Sequence, residues 1–285
     1  MAKKDDPELT IAIQGVRASF HDMASRKFFK KSELTMIECS SFPKLFETLA
    51  NKKADFAVMA IENAIAGSIL PNYSLMEKFK FKIIGEVYIK IEMCLMALPG
   101  VKIEDLETVR SHPMALLQCQ DYLSTLSHVT AIEASDTAES AKIIQDKKLK
   151  NEGAIAGRLA AEVFGLSILQ ENIETDRSNY TRFLVLAREE DYEVSNEANK
   201  SSLRFEVRHF PGSLAKILNI FNKHSVNLTK VQSLPILGKP YQYCLHADME
   251  WENVDEYIKA MKETEDVALE LIDFGHYPRG EKVEL

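Results

Sequence analysis

The strongest constraint on the fold is an alternation that begins near the N-terminus. Short apolar runs at 9–13, 35–39 and 54–61 are each followed by a segment with its own polar signals or helical spacing. After the first run, Gln14-Gly15 interrupts the pattern, and Phe20, Met23, Ala24 and Phe28 then recur on one helix face. After the second, Ser40 or Ser41 serves as N-cap for a helix that buries Leu45, Phe46 and Leu49. The third runs into a polar loop at 62–68, ahead of a helix over 70–79. Strands and helices alternating at this spacing predict a mostly parallel α/β sheet with ligands at the carboxyl ends of the strands.

The extended stretch 82–98, interrupted at Gly85 and Glu86, is a crossover into a second lobe. In that lobe Pro113 opens a helix that continues to 126, Asp136 caps the next with Glu139 at its third position, and Gly165 closes a short helix over 158–164. The chain returns through 171–179 to a strand that starts Asn179-Tyr180-Thr181-Arg182-Phe183. Two lobes with two crossovers enclose a cleft, and this strand start sets an amide, a hydroxyl and a guanidinium at its rim. A polar linker at 188–200 marks a domain boundary. Beyond it come a strand at 203–207, a helix led by Pro211-Gly212-Ser213, strands at 226–236 and 241–249, a helix at 254–262 and a strand at 267–274. That order, βαββαβ, is ferredoxin-like.

Composition narrows the function. A formal net charge of −8 with scattered basic residues argues against a nucleic-acid partner, so an anionic ligand needs local donors. The four cysteines stand far apart without metal-ligand or disulfide spacing. No run approaches the ~20 apolar residues that span a bilayer. The charged N-terminus lacks a secretory apolar core, so a cytoplasmic protein without membrane partners is expected.

Several separated motifs now stand in a definite order: Gln14-Gly15, Glu62-Asn63 with Gly67-Ser68, Ser111-His112-Pro113, Ala115-Leu116, Gln118-Cys119, Asp136-Thr137-Ala138, and Asn179 with Thr181-Arg182-Phe183. Together they make the chain resemble the prephenate dehydratases that carry a C-terminal ACT regulatory domain. The resemblance implies a two-lobed, periplasmic-binding-protein-like catalytic domain at 8–190, with lobe one at 8–88 and 171–190 and lobe two at 89–170. It implies an ACT domain at 201–278. The implied activity is the decarboxylative dehydration of prephenate to phenylpyruvate in phenylalanine biosynthesis, by a monofunctional enzyme that forms homodimers or homotetramers. Arogenate is the alternative substrate, and a non-catalytic two-lobed sensor of amino or aromatic acids is the alternative function.

The family's catalytic positions carry over as Thr181, Glu62, Asn63, Ser111 and Gln118, with Arg182, Phe183, Gln14, Gly15 and Asn179 around the substrate. Prephenate becomes aromatic as one carboxylate leaves as carbon dioxide and the hydroxyl leaves as water, so this chemistry asks for no metal or cofactor. Thr181 is the expected donor to the departing hydroxyl, provided a neighbour polarises it. Glu62 orients donors or acts as the acid. Asn63, Ser111 and Gln118 are neutral donors to carboxylate or ring oxygen. His21, His112, His128 and Cys119 are read as structural.

The chain departs from the family pattern in the first loop, where Arg17-Ala18-Ser19-Phe20-His21 stands in place of a stretch that usually has a Gly and a Ser, and at Ala64, where Ser commonly follows Glu62-Asn63. In the ACT segment Pro211, Gly212, Ser213, Leu214, Asn227 and Leu228 resemble the effector site for L-phenylalanine. Gln232 and Leu234 replace the charged pair of the second effector motif, which removes two charges from it.

Overall fold

The computed structural model describes residues 9–30, 33–236 and 238–281. The N-terminal segment and residue 8, where the catalytic domain is expected to begin, lie outside them. The first half alternates as expected: β1 (Leu9–Gln14), α1 (Phe20–Phe29), β2 (Leu34–Cys39), α2 (Phe42–Ala50), β3 (Phe56–Asn63), β4 (Gly67–Ser68), α3 (Leu70–Phe79) and β5 (Lys82–Lys90). The second lobe follows as β6 (Cys94–Ala97), β7 (Thr108–Ser111), α4 (Pro113–Gln118), α5 (Gln120–Ser124), β8 (Thr130–Glu133), α6 (Thr137–Lys147), β9 (Glu152–Ala156), α7 (Arg158–Phe164) and β10 (Ser167–Gln170). Then come β11 (Tyr180–Ala187), β12 (Lys200–Glu206), α8 (Ser213–Lys223), β13 (Asn227–Pro235), β14 (Tyr243–Glu250), α9 (Val254–Val267) and β15 (Glu270–Tyr277).

Local chemistry places the helix ends. Ser41 accepts from Lys44 N–H, Asp136 accepts from Glu139 N–H, and Gly165 ends α7 in the left-handed conformation. On α2 the buried stripe is Leu45, Phe46 and Leu49, each removed from water at roughly 1.5–3 kcal/mol per side chain.

Three sheets result, ordered β2-β1-β3-β11-β5 with β4 on β3, β10-β6-β9-β7-β8, and β13-β14-β12-β15. The first two sheets are the cores of two lobes. They are mixed rather than mostly parallel. β1 runs parallel to β2 and β3, and β7 to β8 and β9, whereas β6 runs against β9 and β10 runs against β6. β6 and β10 are the strands by which the chain enters and leaves the second lobe.

Four local expectations are corrected. Glu62 and Asn63 do not lie in a loop: they end β3 and pair with Ser68 and Gly67 of β4 as a hairpin. The helix from Pro113 stops at Gln118 and restarts at Gln120, because Cys119 leaves helical geometry at φ −107° and ψ 16°. β5 passes Gly85 and Glu86 without a break. α9 extends to Val267, so the last strand begins at Glu270.

The described residues of 1–69 and 87–183 form one compact unit, and those of 70–86 and 184–281 form another. In the second unit the antiparallel sheet β13-β14-β12-β15 packs on α8 and α9 around Leu203, Phe205, Ile217, Phe221, Trp251 and Tyr257. Lys200, read from the sequence as linker, is instead the buried first residue of β12. Its Nζ lies 2.9 Å from Glu86 and 3.1 Å from Glu250. A lysine can be buried this way only because the carboxylates come with it.

Candidate functional site

The site is built on the β3 hairpin. Asn63 closes the hairpin with its side chain, Oδ1 accepting from the backbone N–H groups of Ile65 at 3.0 Å and Ala66 at 2.8 Å. Its Nδ2 donates to Asn179 Oδ1 at 2.7 Å and to Thr181 Oγ1 at 2.9 Å, with a longer contact to the Tyr180 carbonyl. Asn179 has no solvent exposure. It lies on the return crossover, its Nδ2 donating to Gln118 Oε1 at 3.0 Å and its carbonyl accepting from Ile91 N–H at 2.8 Å. Gln118 is the last residue of α4, and its carbonyl also accepts from Thr175 N–H. Four residues from three distant stretches of the chain, contributed by both lobes, thus share one run of hydrogen bonds.

The other expected positions are less closely joined to that run. Ser111 is fully buried and donates its hydroxyl to the Ile155 carbonyl at 2.6 Å, across the β7–β9 pair. Its proton is committed to the sheet, and only its lone pairs remain for a ligand. Glu62 is half-buried beside Asn63, and strand alternation sets the two on opposite faces. Arg182 is buried next to Thr181. Phe183 is buried with its ring centroid 5.0 Å from that of His21, edge to face, as part of the core beneath β11. His21 accepts from Ala60 N–H, and burial lowers its pKa to about 3, so it is a neutral packing residue. His112 caps α4 through Met114 N–H, and burial pushes the Cys119 thiol up to about 12.

Gln14-Gly15 ends β1. Gly15 has φ +89° and donates to the Cys39 carbonyl, and a methyl group there would come within 2.8 Å of the Asp136 carboxylate from the other lobe. Burial pushes the Asp136 carboxyl up, against the N–H bonds from Glu139 and Ala138. Asp136 is thus more than the helix cap that sequence spacing suggests, because its approach to Gly15 is a tertiary event. Ala18, where the family pattern has more freedom, adopts φ +68° and donates its N–H to Asp22.

In the second unit a groove of about 1050 Å³ is lined by residues that include Glu206, Phe210, Pro211, Ser213, Leu214 and Tyr243. Gly212 supplies the left-handed turn before α8. Asn227 and Leu228 lie on β13 and are not among the lining residues.

A family model described as prephenate dehydratase matches residues 11–191. Arogenate dehydratase 2 of Petunia hybrida is 36% identical over 95% of this chain and 72% of its own. A structure of prephenate dehydratase from Arthrobacter aurescens in complex with L-Phe superposes with TM-score 0.85 at 25% identity, over 95% of this chain and 90% of that one. A structure described as GqqA, a novel type of quorum quenching acylase, gives TM-score 0.85 at 27% identity, over 95% and 98%. Fold and comparisons together define the class, a two-lobed α/β dehydratase with a C-terminal βαββαβ unit, acting in phenylalanine biosynthesis. The chain belongs to the prephenate dehydratase family.

Proposed function

We propose that the chain converts prephenate to phenylpyruvate, carbon dioxide and water. The observation that carries this reading is the hydrogen bond from Asn63 Nδ2 to Thr181 Oγ1. An unassisted alcohol is too weak an acid to help a hydroxyl leave. A threonine oxygen that already accepts from an amide is polarised, and its own proton is free to be donated. The bond from the ring to the departing carboxylate supplies the electron pair that makes the ring aromatic, and the hydroxyl leaves with the proton that Thr181 delivers, directly or through water. Gln118 of the second lobe faces the substrate's oxygens, Ser111, its proton given to the Ile155 carbonyl, holds β7 to β9, Arg182 adds attraction to the dianion, and Gln14-Gly15 forms the floor. Glu62 orients donors from the hairpin.

We assign catalysis to 8–190 and regulation to 201–278, an ACT domain whose groove takes L-phenylalanine as effector. The enzyme is read as a cytoplasmic homodimer or homotetramer. Arogenate differs from prephenate by an ammonium in place of the keto oxygen, and the Petunia relative's name makes it the second substrate to test. The purified protein is mixed with each substrate, and phenylpyruvate and phenylalanine formation are followed with and without added L-phenylalanine. Faster turnover of prephenate is expected. Turnover of arogenate alone moves the substrate assignment, and binding of prephenate without turnover of either substrate favours the sensor.

A further inference from the structure

The run of amides across the cleft has a direction, and the backbone sets it. The N–H groups of Ile65 and Ala66 can only donate, so Asn63 must offer them Oδ1 and turn Nδ2 away. Nδ2 has only hydrogens to give, so Asn179 answers with Oδ1, and its own Nδ2 then meets Gln118 Oε1. Both ends of the run are left with hydrogens to offer. Thr181 Oγ1 is an acceptor inside the run and keeps its proton, and Gln118 keeps both hydrogens of Nε2. Among the described residues neither group has an acceptor. Had any one amide been reversed, two donors or two acceptors would face each other in a region where Asn179 has no access to water.

We propose that Asn179 is a positioning residue that passes the polarity set by the hairpin from Asn63 to Gln118, so that Gln118 presents Nε2–H rather than its carbonyl to a substrate oxygen. An amide at the end of a side chain has no such preference by itself, since its two ends are nearly equal in size. The cleft therefore offers two donors, one from each lobe, to a ligand rich in acceptors, as a dicarboxylate is. This rests on the dehydratase reading only for the identity of that ligand.

Asn179→Asp tests it. The carboxylate still accepts from Asn63, so Thr181 keeps its orientation, but it can no longer donate to Gln118 Oε1. Gln118 must then turn Nε2 inward and set Oε1 against the substrate. The expected result is a KM for prephenate raised about tenfold with kcat within about threefold of wild type. In a Gln118→Ala background the same substitution should change KM by less than about twofold, because the group it acts through is gone. An equal loss in both backgrounds, or a loss on kcat alone, overturns the proposal. If the buried carboxylate prevents folding, Asn179→Ala replaces it, with the same dependence on Gln118 expected. Calorimetric titration of the four proteins with prephenate gives the same comparison without turnover. A wild type that binds but does not react then sinks the dehydratase reading separately, and one that does not bind sinks both.

Discussion

Asn63 donates from Nδ2 to Thr181 Oγ1 over 2.9 Å, and the same asparagine is held by two backbone N–H groups of its own hairpin. The hydroxyl proposed to do the chemistry is thus oriented by a residue with no freedom to turn. Thr181→Ala should lower kcat by ~10²-fold or more, the scale of a lost catalytic donor, whereas Thr181→Ser should stay within about tenfold. Steady-state rates on prephenate decide it, and an alanine variant with unchanged kcat removes Thr181 from the mechanism.

Asn63→Asp keeps the acceptors for Ile65 and Ala66, so the hairpin should persist. The new carboxylate cannot donate, and the Thr181 proton should swing toward it and away from the substrate. A drop in kcat of ~10²-fold with an unchanged far-ultraviolet spectrum is expected. A full-speed variant would show that Thr181 needs no polarising partner.

Gly15→Ala brings a methyl group within 2.8 Å of the Asp136 carboxylate at a backbone φ of +89°. The conformation alone costs about 1–2 kcal/mol, and the clash adds to it. Chemical denaturation should show a loss of about 2 kcal/mol or more, with a raised KM as the floor of the cleft shifts.

His21 bears on acid stability. Its folded-state pKa, about 3, lies below the ordinary value of 6.5, so on lowering pH the unfolded chain takes up a proton that the folded protein refuses. Stability is unaffected by this group above pH 6.5. It should fall by about 1.4 kcal/mol per pH unit below that, down to pH about 3. Denaturant midpoints for wild type and His21→Gln between pH 7 and 4.5 measure the slope. A variant as steep as wild type would assign the acid sensitivity elsewhere.

Lys200→Met leaves Glu86 and Glu250 buried without their shared cation. A loss of about 3–5 kcal/mol is expected by denaturation, softened for Glu86 by the N–H of Gly280 at 2.9 Å. Little change would mean that the ion pairs of Lys200 contribute nothing net to stability.

Much of this architecture can be read in the residues themselves, where causes are local. The N-caps at Ser41 and Asp136, the glycine stop at Gly165 and the apolar stripe of α2 all depend on neighbours within a turn. What escapes is decided at a distance. Glu62 and Asn63 look like loop chemistry because they are polar, yet they end a strand whose partner is only two residues long. Lys200 reads as linker because its carboxylates lie 114 residues before it and 50 after it in the chain. The candidate positions Asn63, Gln118, Asn179 and Thr181 are visible as a motif set. Which atom of each amide faces its neighbour is not, because that depends on two N–H groups that exist only once the hairpin has formed.

The helix α3 and the first part of β5 come early in the chain, yet they complete the later compact unit. Glu77 reaches His246 at 2.9 Å and Arg204 at 3.2 Å, and Glu86 holds Lys200. The βαββαβ segment is therefore not a cassette. A truncation at the linker would take Glu77 from Arg204 and His246 and Glu86 from Lys200, leaving the guanidinium only Glu206 and Glu270 and the ammonium only Glu250, and grafting the segment onto a relative would be helped by a matching α3.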